Sequence, residues 1–101
     1  MAAAFNRYTV EGVTTEAVIM TAPVATEVTI IGATIANVGA DEASVDIKLN
    51  TTYMLKGAPV YVGGAMTPIG GEQKVVMEAG DTLSVTSDIA VDVIVSVLEK
   101  S

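Results

Sequence analysis

From Val91 to Val97 every second residue is valine, with Asp92, Ile94 and Ser96 in between. A strict period of two lines one face of a β-strand, whereas a helix would spread those four valines over its surface. The hydrophobic run of 89–99 is long enough for a helix, and the alternation speaks against one. The same period recurs in "ASVDIKLN" (43–50), which sets Ala43, Val45, Ile47 and Leu49 inward and Ser44, Asp46 and Lys48 outward. The composition agrees. The chain has 16 Val, 8 Ile and 12 Thr, so 36 of its 101 residues are β-branched, against four Leu. Such side chains are stiff at χ1 and suit a pleated surface better than a helix. Only Phe5, Tyr8, Tyr53 and Tyr61 are aromatic, so the core must be aliphatic.

Turn signals break the chain into short segments every eight to twelve residues, the spacing of a sandwich or barrel. "FNRYTV" (5–10) reads as an N-terminal arm or a first edge strand, and residues 1–12 are set apart on that basis. A β-sandwich domain then covers 13–101. "VTTEAVIM" (13–20) and "TEVTIIGATIAN" (26–37) are strands. In the second, Ile31, Ala33 and Ile35 are expected on one face and Val28, Ile30 and Ala36 on the other, with a bulge or close packing at Gly32. "NVGADEA" (37–43) is a turn. "TTYMLKGAPVYVGGAMTPIGGEQ" (51–73) should hold two short strands, near 52–56 and 58–62, and then a loop. "KVVME" (74–78) and "TLSVTS" (82–87) are strands around the tight turn "AGD" (79–81), where Gly80 can take positive φ at little cost. The final valine-lined strand should complete the core. One domain of seven to nine short strands results, an all-β antiparallel β-sandwich of immunoglobulin-like or jelly-roll type, with barrel closure as the alternative.

Five basic against twelve acidic residues give a net charge of −7. No basic patch is available to release counterions from nucleic acid or to settle on an anionic membrane, so neither partner is expected. No stretch of about 20 residues is apolar and uncharged. The opening "MAAAFNRYTVEG" lacks a continuous apolar segment behind a basic start, so no signal peptide is expected. A soluble protein is the expectation.

Cysteine and histidine are both absent. That removes disulfides, thiolate zinc sites and Ser–His catalysis. The segment "EAGDTLSVTSDIAVDVIVSVLE" (78–99) holds five carboxylates: Glu78, Asp81, Asp88, Asp92 and Glu99. A calcium site or a glycosidase pair could be built from such groups. The spacing is not that of a twelve-residue calcium loop, and a sugar cleft would want more aromatic residues. Turn aspartates commonly accept from backbone amides, so the acids read as turn punctuation and an outward strand face. "VGGAMTPIGG" lacks the G-K-[ST] ending of a phosphate loop. No catalytic residue, metal ligand or cofactor follows from the sequence, and no enzyme is expected. Partner contacts are expected instead from the 57–72 loops, the edge strands and the N-terminal arm, with Phe5, Tyr8, Tyr61 and Met66 as the interface candidates.

The series "VTIIGATIANVG", "YMLKGAPVYVGG", "KVVMEAGDTLSVTS" and "VDVIVSVLE" resembles small accessory virion proteins of tailed bacteriophages. In that group a "hIxGhxhAN" strand (h apolar, x any residue) precedes "hhxGAPhxxG", a "KhhLxAGDxLxV" hairpin and a terminal "DVIhSxLE" strand. The resemblance covers about residues 16–99, and Met77 stands where the group often has Leu. It implies a non-enzymatic β-sandwich in many copies on a virion assembled in the host cytoplasm. The implied partners are the major capsid protein, or neck or tail proteins, and further copies of itself in a homo-oligomer. Capsid decoration is the first expectation, a neck, collar or tail-associated subunit the second, and a host-surface carbohydrate-binding module the third.

Overall fold

Alternation in the sequence becomes strand after strand in the structure, a computed structural model that describes residues 3–69 and 75–100. The strands are β1 (Ala3–Val13), β2 (Glu16–Thr21), β3 (Glu27–Asn37), β4 (Ala43–Leu49), β5 (Thr52–Val60), β6 (Ala65–Ile69), β7 (Val75–Met77), β8 (Thr82–Ser87) and β9 (Val91–Lys100). They form two antiparallel sheets. The first has the order β1-β9-β3-β6, with β7 also paired to β3, and the second has the order β2-β8-β4-β5.

If β6 and β7 are taken as one interrupted strand, the pairing nests: first with last, second with second-last, and so inward to the β4–β5 hairpin. That is an antiparallel ribbon folded over onto itself, with its strands dealt alternately to two sheets. It is the eight-strand double Greek key of a jelly roll. Of the two sandwich types the sequence leaves open, the strand order selects this one, since an immunoglobulin sandwich deals its strands differently.

The core lies between the sheets. Val91, Val93, Val95 and Val97 are fully buried on β9, which runs between β1 and β3. Across from them lie Val45 and Ile47 of β4 and Leu83 and Val85 of β8, also buried. Each fully buried aliphatic side chain contributes about 1.5–3 kcal/mol of transfer free energy. Val13 is buried at the corner where β1 leaves the first sheet and β2 enters the second.

Four expectations need correction. In β3 the buried set is Val28 and Ile30, then Ala33 and Ile35. The pairing with β9 shifts between Ile30 and Gly32, and the extra residue turns the second half of the strand over. Of the bulge or close packing expected at Gly32, a bulge is present, and it overturns the two-face assignment that ignored its effect. Residues 52–60 form one strand rather than two, because Gly57 (φ +62) makes a bulge that β5 passes through without ending. Residues 65–69, expected as loop, form β6 and pair with Ala33–Ala36. Finally, β7 and β8 are no hairpin. The turn between them carries the chain from one sheet to the other, as does the turn at Asp88 between β8 and β9. Gly70, Gly71 and Lys74, parts of the expected loop and strand, lie outside the described residues.

Candidate interaction surface

The carboxylates are the first groups to place, since any chemistry would start with them. Asp92 Oδ1 accepts from the Gly12 amide at 2.8 Å, and Asp46 Oδ1 accepts from the Gly57 amide at 2.6 Å. Both glycines have positive φ, near +60°, at a bulge of an outer strand. Both aspartates sit on the neighbouring inner strand. A bulge leaves one amide out of the ladder, and an aspartate one strand over satisfies it. The same device thus stabilises β1 in one sheet and β5 in the other. Asp88 Oδ1 accepts from the Ser44 amide at 2.8 Å, which joins the β8–β9 turn to the start of β4.

Asp81 spans its own turn. Its Oδ2 accepts from the Glu78 amide at 2.9 Å and its Oδ1 from Asn50 Nδ2 at 3.0 Å. Donation from Asn50, and next from the Glu78 amide, favours the ionised form and holds the carboxyl below the usual aspartate range. Asn50 itself has φ +55, a conformation asparagine tolerates, and its Oδ1 accepts from the Thr82 amide at 2.9 Å. Glu99 Oε2 accepts from the Tyr8 hydroxyl at 3.0 Å, and its other oxygen accepts from Asn6 Nδ2. Partial burial, and then the Glu99 carboxylate, push the Tyr8 hydroxyl up from its ordinary pKa. Four of the five carboxylates in 78–99 are therefore engaged in holding backbone or side chains in place. Among the described residues no group of three His, Cys, Asp or Glu is placed to hold a metal ion.

A further polar centre is Asn37, at the junction of a strand and a turn in the sequence. It is 5% exposed, and its side chain gathers three segments. Its Nδ2 donates to the carbonyls of Asp41 and Val60, both at 2.8 Å, and its Oδ1 accepts from the Gly39 amide at 2.9 Å. Its own amide donates to the Gly64 carbonyl at 3.0 Å. Side chain and amide together tie the β3–β4 loop, the end of β5 and the β5–β6 loop at one end of the sandwich. The signal for it was the apolar run that leads into Asn37, which carries the residue inward with its face.

The four interface candidates do not converge. Phe5 is 74% exposed and lies opposite Leu98 on the outer face of the first sheet. Tyr8 is half-buried, lies opposite buried Val95 and packs against the core. Three residues apart on one strand, the two must point to opposite faces. Tyr61 is 67% exposed in the β5–β6 turn. Met66 is half-buried and packs against the core from β6. β1 and β6 also lie at opposite edges of their sheet.

The two outer faces differ in character. The second sheet is charged: Lys48 pairs with Glu16 at 3.1 Å and Lys56 with Asp46 at 3.6 Å. Lys56 and Lys48 also lie 4.6 and 5.7 Å from the centroid of the Tyr53 ring. These are surface pairs screened by solvent, and they contribute little to stability. On the outer face of the first sheet, apolar and threonine residues stand beside Arg7 and Glu11, which form no ion pair among the described residues. A transverse row runs Phe5, Leu98, Thr29, Val76 across β1, β9, β3 and β7, with exposed Ile94 close by. A shallow depression beside it is lined by Phe5, Arg7, Ile31 and Ser96.

No protein-family model matches the chain, and no curated protein matches it. Among solved structures it is similar to the nucleoplasmin-like N-terminal domain of Drosophila FKBP39. The TM-score is 0.53 and the identity 14%, over 98% of this chain and 91% of that one. A likeness at this identity shows the shared fold of two packed antiparallel sheets.

Proposed function

We propose that this chain is a non-enzymatic structural protein of a tailed-bacteriophage particle, present in many copies as a homo-oligomer bound to the major capsid protein. Capsid decoration is the preferred position, and a neck, collar or tail-associated subunit is the alternative. The observation that carries the proposal is the jelly-roll strand order, an architecture that recurs in viral capsid domains. Two further observations support it. The motif series from about 16 to 99 resembles phage accessory virion proteins. In addition, the carboxylates that would be needed for chemistry are bound to backbone amides and to Asn6, Asn50 and Tyr8.

The test is quantitative mass spectrometry of purified particles from the phage that encodes the chain. Many copies per particle are expected, and absence from the particle would refute the proposal. The arrangement of copies on the particle separates the two positions: groups at capsid three-fold sites fit decoration, and a ring fits the neck. A host-surface carbohydrate-binding module is a second reading, favoured by the recurrence of jelly rolls among lectins. Calorimetry against host surface glycans, with and without calcium, distinguishes it, because a virion scaffold gives no binding heat.

A further inference from the structure

Among the described residues the sandwich has four edges: β1 and β6/β7 in the first sheet, β2 and β5 in the second. Exposed edges offer unpaired backbone groups to other chains, and proteins blunt them with short strands, lysine, proline and bulges. Three of the four are blunted in this way. β5 carries Lys56, the Gly57 bulge and Pro59. β6 contains Pro68, and β7 is three residues long. β2 has six residues and a register shift between Val18 and Met20.

β1 is the exception. It has eleven residues, contains neither lysine nor proline, and pairs with β9 without interruption from Ala3 to Val10. Its bulge comes only at Glu11–Gly12. Most of the strand is exposed, Phe5 strongly so.

Two charges stand on this edge. Arg7 and Glu11 are exposed and four residues apart. Neither takes part in an ion pair among the described residues, where the pairs are Lys48–Glu16 and Lys56–Asp46. Their spacing is self-complementary. When a strand pairs antiparallel with a copy of itself about a two-fold axis, residues equidistant from the axis face each other on the same side of the sheet. With the axis at Thr9, Arg7 of each chain lies opposite Glu11 of the other. An axis at Arg7 would set the two arginines against each other.

We propose that β1 is a self-pairing edge, through which two copies of this chain join their first sheets into one continuous sheet, in the register that places Arg7 opposite Glu11 of the second copy. The pairing is a property of the isolated protein and does not depend on the virion reading. It extends the transverse row through Phe5 towards the second copy. The net charge of −7 opposes association of like chains, so the local pairs must act at close range while salt screens the rest.

The experiment is sedimentation velocity on the full chain, from about 1 μM to 1 mM at about 0.15 M ionic strength. The wild type should show a monomer–dimer equilibrium. Arg7→Glu and Glu11→Arg each replace two attractive cross-strand pairs with two repulsive ones, and each should weaken the dimer by about tenfold to a hundredfold. The double substitution Arg7→Glu/Glu11→Arg restores opposite charges and should restore the dimer. Circular dichroism checks that each variant is folded, and Arg7→Gln serves as a milder variant that should weaken the dimer less. A wild type that stays monomeric throughout, single variants that dimerise like the wild type, or a double variant that fails to recover would each overturn the proposal.

Discussion

Replacing Asn37 with alanine removes a polar side chain that is 5% exposed and makes three hydrogen bonds. The bonds to the Asp41 carbonyl and from the Gly39 amide are partly buried, and the one to the Val60 carbonyl is buried. Each net bond is worth about 1 kcal/mol, and a buried acceptor that loses a partner adds roughly another 1 kcal/mol. The expected loss is about 3–4 kcal/mol, a large share of the roughly 5–15 kcal/mol typical of a domain. In urea, with a slope of about 1–3 kcal/mol/M, the midpoint should fall by roughly 1–4 M while the slope is unchanged. A loss under about 1 kcal/mol would refute the role given to Asn37, because the two loops would then hold together without it. Asn37→Asp sharpens the test. It preserves shape and the acceptor for Gly39, but turns a carboxylate oxygen towards two carbonyls. That environment raises the folded-state pKa of the new carboxyl above its unfolded value. The variant's deficit should therefore be smallest in acid and grow as pH rises above about 4.

Removing residues 88–101 deletes β9, the inner strand that pairs with both β1 and β3, and should abolish folding; a soluble truncation with a cooperative melt would contradict the core assignment. Gly39→Ala would drive its Cβ into Ile89 Cγ2, and overpacking of this kind should cost about 1–3 kcal/mol by chemical denaturation. Ala25, at φ +56 in the exposed β2–β3 turn, should gain stability on Ala25→Gly by up to about 1 kcal/mol, a rise in melting temperature being the readout. The folded-state pKa of Asp81 is depressed, so its contribution is present above the unfolded aspartate value of about 3.9 and is lost as pH falls through the lower folded value. Asp81→Asn should flatten this acid limb of a stability–pH profile, and an unchanged limb would count against the turn hydrogen bonds as its cause.

Local pattern made much of this fold readable. The valines of β9, the alternation of β4 and the Gly80–Asp81 turn all follow from period and turn chemistry, and they lie where expected. What escaped was non-local. β1 pairs with β9 across nearly the whole chain, and no pattern within either strand names the other. The Gly32 bulge was foreseen as a bulge, but its reversal of the buried face needs a partner strand to be seen. β6 escaped because Pro68 and the flanking glycines resemble a loop, yet an edge strand tolerates proline. On the surface, the separation of three between Phe5 and Tyr8 already puts them on opposite faces of one strand. The acids were legible as turn and strand punctuation. Their pairing with bulge glycines was not, because each aspartate and its glycine lie on different strands.

The central claim is that this jelly roll is a repeated scaffold on a phage particle. A cryo-electron microscopy reconstruction of the particle encoded with this chain tests it most directly. Ordered copies of the two-sheet domain on the head are predicted, at capsid three-fold sites for decoration, whereas a ring at the neck would select the alternative position. A reconstruction with no such density on head, neck or tail would contradict the account.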